Sequence, residues 1–99
     1  MKKSYLTVVV HILAKEEYRE EIKAELLKLV GPTRSEEGNI SYDLHQDNSN
    51  PNLFLFHEKW VSQELLQKHS QSKHIAAYKV ASEGKLVDVT LYKMTELTS

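Results

Sequence analysis

The order of hydrophobic patterns along the chain predicts an α+β fold of the ferredoxin-like, split βαβ type. Two observations carry this prediction. Apolar residues alternate with a period of two in four segments and recur at helical spacing in the segments between them. The resulting order is strand, helix, strand, strand, helix in two pieces, strand, which is typical of an antiparallel sheet with its helices on one side. With 99 residues we expect the chain to form a single domain, 1–99, with its core at about residues 5–94.

The first strand and the first helix have the clearest patterns. Residues 5–13 are apolar or β-branched on both alternating faces, as in a strand that is covered on both sides. Residues 15–37 then place their apolar side chains on one helical stripe. We expect this helix to weaken near Pro32, because proline lacks a backbone donor, and to end by Gly38.

The second half predicts a hairpin, two short helices and a last strand. Alternating residues at 40–45 and 53–60 flank a polar turn. Ser62 and Ser72 are suited to cap the two short helices, and a final strand is expected at 86–97.

The helices of such a fold leave one face of the sheet uncovered. Because three of the four strands are apolar on both faces, we expect this face to be buried against a second copy of the chain, as a homodimer with sheet facing sheet. The residues at this interface are either Val8, Val10 and Ile12 or the alternating set that contains Val9.

Composition excludes several classes of function. The net charge is −1 and the longest basic run is Lys2-Lys3, so neither a nucleic acid nor an anionic membrane is an expected partner. The absence of cysteine excludes disulfides, thiolate catalysis and thiolate metal sites. No apolar run approaches the roughly 20 residues that span a bilayer. Thr7 and His11 interrupt the N-terminal apolar stretch, which argues against a signal peptide and for a cytoplasmic protein.

Motif spacing predicts neither a metal nor a bound cofactor. Histidines 11, 45 and 57 lie on predicted strands, and the five histidines lack the helical spacing of a metal site. The three glycines are far apart, so no phosphate-binding loop is present in the sequence.

Several stretches of the chain together resemble the antibiotic biosynthesis monooxygenase family; they are residues 32–47, 51–52, 56–60, 65–69 and 72–74. The most specific part is a Glu-x-Trp strand end, followed by Leu-x-x-His and a second histidine five positions later. The resemblance spans about residues 6–91. It implies a dimeric α+β barrel that oxidises a quinol or another electron-rich aromatic with molecular oxygen, without metal or flavin.

The resemblance leaves other functions open. The same scaffold is similar to haem-degrading enzymes and to an isomerase that processes a small phosphorylated signalling ketone. Arg34 with Lys73 is the local candidate for the cationic cluster that such an isomerase needs. A further alternative is a dimeric ligand-binding or stress-response module without catalytic activity.

For the oxygenase, the two histidines of the resemblance are the catalytic candidates. His74 is the leading base, because the positive end of a helix dipole lowers the pKa of a histidine near its start. A solvated side chain is the alternative. His69 ends the preceding helix, where the dipole favours the charged form. It is suited to bind an anionic ring oxygen, or else to cap helix carbonyls.

Four further residues are candidates for substrate binding. Trp60, Phe56 and Glu58 share one face of a strand, and Trp60 is suited to stack on a planar substrate or to fill the core. A carboxylate between two aromatic residues is unfavourable unless it is paired, so Glu58 either orients a histidine or lies at a solvated edge. Tyr42, on the neighbouring strand, is suited to donate its hydroxyl to a substrate or to pack in the core.

Overall fold

The computed structural model describes residues 5–98. Its elements, in chain order, are β1 (Leu6–Ala14), a 3-10 turn (Glu16–Tyr18), α1 (Arg19–Arg34), β2 (Asn39–Gln46), β3 (Leu53–Trp60), α2 (Gln63–Ser70), α3 (Lys73–Ser82) and β4 (Leu86–Met94). This order confirms the predicted α+β, ferredoxin-like fold. Within the described residues, no helix has the length and apolar character needed to cross a membrane.

The four strands form one antiparallel sheet in the order β2-β3-β1-β4. β1 lies inside the sheet and pairs with β3 on one side, from Leu6 opposite Trp60 to Leu13 opposite Leu53. On its other side β1 pairs with β4. The two strands that are adjacent in sequence, β2 and β3, form the hairpin that the alternating pattern predicted.

Helix α1 continues through Pro32 to Arg34, although the sequence predicted a weakening at the proline. Pro32 lies in the last turn and lacks the N–H that would donate to the carbonyl of Lys28, so the helix loses one intrahelical bond there. The N–H of Ser35 donates to the carbonyls of Gly31 and Pro32, both at 3.3 Å, and Thr33 is fully buried. Packing of this last turn therefore outweighs the missing donor.

The alternation in β3 shows which face of the sheet the helices cover. Its even-numbered residues are buried and its odd-numbered residues are half-buried. Since directly opposed residues of an antiparallel pair lie on the same face, Val10 and Ile12, which face Phe56 and Phe54, belong to the helix-covered side. The set with Val8, Val10 and Ile12 is therefore not the uncovered face. The uncovered face is the one that carries the alternating set with Val9.

The helices cover the sheet unevenly. Val89 and Leu91 of β4 lie opposite Ile12 and Val10, and hence on the helix side, yet they are 52% and 51% exposed. An opening is therefore left between the helices and the edge strand β4.

Gly38 fixes the segment between α1 and β2 against the start of α2. Its φ of 85° lies in the left-handed region, which favours glycine. A Cβ at this position would overlap the Leu65 side chain, with 2.8 Å to its Cβ. The carbonyl of Gly38 also accepts a hydrogen bond from the N–H of Val61, at 2.8 Å.

We predict that Gly38→Ala lowers the free energy of unfolding by about 2 to 4 kcal/mol, because it adds steric overlap to the cost of a left-handed backbone. Gly84→Ala is the matched control, since Gly84 has a φ of 76° and open space around its Cα. It should lose only about 1 to 2 kcal/mol. Chemical denaturation of both variants measures the difference, and equal losses would contradict the role assigned to Leu65.

Candidate active site

A cavity of about 550 Å³ lies between the helix side of the sheet and the three helices. Its volume is in the range of small-molecule sites. Val10, Ile12 and Phe56 contribute to its apolar floor. The half-exposed Val89 and Leu91 border it, so the cavity opens toward strand β4.

Four of the six residues that the sequence proposed line this cavity, namely Tyr42, Phe56, Glu58 and His69. Trp60 and His74 are not among the lining residues. Trp60 is fully buried, as the core alternative expected, and its ring centre lies 4.7 Å from that of His69. It therefore supports the histidine rather than forming the cavity surface.

A carboxylate joins the two candidate histidines. Oε2 of Glu36 lies 2.6 Å from Nδ1 of His69 and 2.9 Å from Nε2 of His74. An ionised carboxylate only accepts hydrogen bonds, so both of these nitrogens carry protons. His69 is then the Nδ1–H tautomer, and its Nε2 has no hydrogen-bond partner among residues 5–98.

Sequence reasoning assigned no role to Glu36. The residue lies within a stretch that carries the family resemblance, but it is 33 and 38 positions away from the two histidines. The fold brings them together because α1 ends beside the junction of α2 and α3. His69 is close to the end of α2, and His74 is the second residue of α3.

The pKa of His69 is shifted in the direction opposite to the one predicted from the helix dipole. Burial lowers the pKa, and this effect outweighs the hydrogen bond and the charge of Glu36, which raise it. The nearby His74 lowers it further. The structure therefore favours a neutral imidazole at position 69.

Glu58 is a buried carboxyl group on the floor of the cavity. It is 3% exposed, and its Oε1 accepts a hydrogen bond of 2.9 Å from Nε1 of Trp60. Neither of the predicted alternatives holds, because the partner is not a histidine and the site is not solvated. Burial raises the pKa of Glu58 to about 7, the charge of Glu36 adds to this, and the Trp60 hydrogen bond opposes it.

Two tyrosines complete the polar part of the cavity. Tyr42 stacks on Phe56 with ring centres 4.3 Å apart, and its ring edge approaches His69 at 5.6 Å. Tyr78, which the helical pattern identified only as an apolar position, also lines the cavity. Burial raises the pKa of both phenols, so both hydroxyls remain protonated near neutral pH.

Glu36, His69 and His74 are also the described residues whose chemistry would suit a metal ion, with donor atoms within 4.8 Å of one another. However, the separations of 2.6 and 2.9 Å are hydrogen-bond contacts. Two ligands of a tetrahedral zinc ion lie about 3.3 Å apart. As folded, the three side chains form a hydrogen-bonded cluster.

We predict that the change in the free energy of unfolding caused by Glu58→Gln is more stabilising at pH 8 than at pH 5, by roughly 1 to 3 kcal/mol. The folded pKa of Glu58 lies above its unfolded value, so its contribution to stability is complete below about pH 4.5 and is lost as the pH rises through 7. Denaturation of both proteins from pH 5 to 8 provides the test. The lowered pKa of His69 makes stability rise with pH in both proteins, so it cancels when their free energies of unfolding are subtracted at each pH. A difference that does not change with pH would contradict the raised pKa.

Comparison with known proteins agrees with this architecture. The family model described as antibiotic biosynthesis monooxygenase matches residues 5–81. YcnE of Bacillus subtilis, provisionally named a monooxygenase, is 35% identical over 81 residues, which cover 82% of this chain and 84% of that protein. The crystal structure of PA3566 from Pseudomonas aeruginosa has a TM-score of 0.93 and 31% identity, and the match covers 97% of each chain.

A third relative extends the agreement to both sequence and structure. Rv0793 of Mycobacterium tuberculosis, also provisionally named a monooxygenase, is 32% identical over 84 residues, which cover 85% of this chain and 81% of that protein. Its solved structure has a TM-score of 0.89 and covers 97% of this chain and 98% of its own. By the match of its sequence and by its fold, the chain belongs to the antibiotic biosynthesis monooxygenase family.

Proposed function

We propose that the protein is a monooxygenase that oxidises a quinol or related electron-rich phenol with molecular oxygen and needs neither a metal nor a flavin. The observation that carries this proposal is His69, a neutral imidazole on the wall of an apolar cavity, held by Glu36 through Nδ1 with Nε2 left without a partner. Membership in the monooxygenase family supports the reaction class.

The mechanism needs a base, a dry pocket and a substrate that is itself a reductant. Nε2 of His69 removes a phenolic proton, and the resulting anion transfers one electron to oxygen. The substrate radical and superoxide then combine at a ring carbon. Apolar walls such as Phe56 exclude the water that would quench these intermediates, and the face of Tyr42 helps to fix the ring.

In this proposal His69 acts as the base, whereas His74 and Glu36 are positioning residues. Glu36 selects the tautomer of His69, in the way that a carboxylate orients a catalytic imidazole in other enzymes. His74 donates the second hydrogen bond to the same oxygen and so fixes the carboxylate. This differs from the sequence-based choice of His74 because His74 is absent from the cavity lining.

We predict that His69→Ala lowers the rate of oxygen consumption by about 10² to 10⁴-fold, as expected when a general base is lost. His74→Ala and Glu36→Gln should lower it less, since each leaves the base in place. Rates are measured with a panel of hydroquinones and naphthols on protein treated with a chelator. Lys68→Ala is the control, because Lys68 is exposed on α2 next to His69 and does not line the cavity.

Three results would count against this proposal. An equal or larger loss in His74→Ala would make His74 the base, and activity that chelation abolishes and one added metal restores would refute the metal-free mechanism. Oxygen uptake at the background rate with every compound would favour a non-catalytic binding module.

The isomerase alternative finds less support in the geometry. Nη2 of Arg34 forms an ion pair with Asp43 at 2.9 Å, and its Nε donates to the carbonyl of Tyr42 at 3.1 Å. Arg34 is therefore already engaged, and it does not line the cavity. Lys73 is also absent from the lining, so the Arg34–Lys73 cluster predicted for a phosphorylated substrate does not form at the cavity. The lysines that do line it are Lys79 and Lys93.

The same proposal includes a homodimer formed through the uncovered face of the sheet. This face contains apolar side chains that the helices do not cover, among them Val9, Leu13 and Leu55. Burying such a surface gains about 25 cal/mol per Å².

We predict a species of about twice the 11.4 kDa chain mass in size-exclusion chromatography with light scattering. Leu55→Lys places a charge on the uncovered face and should produce monomer or aggregate. Val80→Lys is the control, because Val80 is 75% exposed on α3 and should leave the mass unchanged. A stable monomer for the unmodified protein would overturn this interface.

A further inference from the structure

The carboxyl group of Glu58 is only partly engaged by the protein. Its Oε1 accepts the hydrogen bond from Trp60, and Oε2 has no hydrogen-bond partner among residues 5–98. Glu58 forms no ion pair with any described residue, although it is 3% exposed. Burying a carboxyl group in this way is unfavourable unless the group has a function or remains protonated.

The position of Glu58 suits contact with a bound molecule. The side chain lies on the cavity floor in β3, between Phe56 and Trp60 along the strand and opposite Tyr42 on β2. His69 lines the same cavity from α2. A planar ring in the cavity would therefore have an imidazole and a carboxyl group within the same enclosure.

We propose that Glu58 is the proton donor of the oxygenation, giving its proton to the peroxide that forms on the substrate ring. This inference rests on the proposed monooxygenase function and adds a second catalytic group to it. The substrate class is narrowed accordingly to phenols and quinols with a C–H bond at the ring position that is oxidised.

The proton balance of the reaction requires such a group. A phenol with one ring C–H and one O₂ gives a quinone and one water, with all electrons supplied by the phenol. His69 first takes the phenolic proton. After the C–O bond forms, Glu58 protonates the distal peroxide oxygen, and its carboxylate then takes the ring C–H proton. The electron pair of the former C–H bond forms the new C=O bond as the O–O bond breaks. The protonated His69 then gives its proton to the departing hydroxide, which becomes water.

Both groups return to their starting states in this cycle. Burial shifts their pKa values in the directions that the cycle needs, since it lowers the pKa of His69 and raises the pKa of Glu58 to about 7. A neutral base and a protonated acid can thus coexist near neutral pH. Tyr42, whose hydroxyl also remains protonated, adds no competing charge.

The test is Glu58→Gln, which keeps an oxygen acceptor for Trp60 but removes the transferable proton. The reaction is run in ¹⁸O₂ with a naphthol, and labelled quinone is compared with oxygen consumed and hydrogen peroxide released. We expect binding, followed by Trp60 fluorescence, to change by less than about threefold. The rate of labelled product should fall about 10² to 10⁴-fold, and peroxide should become the main product of the oxygen consumed.

Two controls separate this role from a structural one. Glu58→Asp retains an acidic proton and should recover part of the coupling between oxygen consumption and product. Glu64→Gln, an exposed acid in the first turn of α2, should behave as the unmodified protein. His69→Ala should slow oxygen consumption without raising the peroxide released per oxygen.

The outcomes distinguish the two proposals. If Glu58→Gln is slower but releases no additional peroxide, or is as active as the unmodified protein, Glu58 is not the proton donor. If the unmodified protein places no ¹⁸O in the product of any phenol, the monooxygenase proposal itself is wrong and this role falls with it. If the Glu58→Gln protein does not fold, Glu58→Asp decides. A Glu58→Asp protein that forms less labelled product but releases no additional peroxide would also overturn the assignment.

Discussion

The single carboxylate oxygen of Glu36 organises the candidate site. It accepts hydrogen bonds from imidazoles on two different helices, so the junction of α2 and α3 is tied to the segment that follows α1. The backbone of that segment is fixed in turn by Gly38, which packs against the first turn of α2. The orientation of the His69 imidazole therefore depends on α2, α3 and the segment that follows α1 together.

A second constraint comes from the sheet. Strand β3 places an acidic side chain on its covered face, in line with aromatic residues, and the indole of Trp60 supplies the only hydrogen bond to that acid among the described residues. The result is a cavity in which burial, rather than neighbouring charges, sets the protonation of both an acid and a base. Such environments are characteristic of sites where proton transfer takes place.

The order of strands and helices along the chain and the two faces of β3 followed from short-range periodicity, which is why the sequence predicted them. Glu58 and Trp60 were correctly placed on one face, but their mutual hydrogen bond was not foreseen. The pKa direction of His69 could not be obtained from its position in a helix, because it depends on burial by distant residues. Glu36 was missed for the same reason, since its partners are 33 and 38 positions away.

The uneven cover of the sheet has a consequence for the shape of a ligand. Part of the cavity is lined by buried side chains, among them Tyr42 and Phe56, which would limit the width of a ring bound there. At the opening, Val89 and Leu91 lie at the edge strand with half of their surface exposed. A substituent attached to the outer side of the ring would extend past this edge into solvent. For the proposed phenolic substrates, we therefore expect the site to discriminate among ring systems more strictly than among the tails they carry.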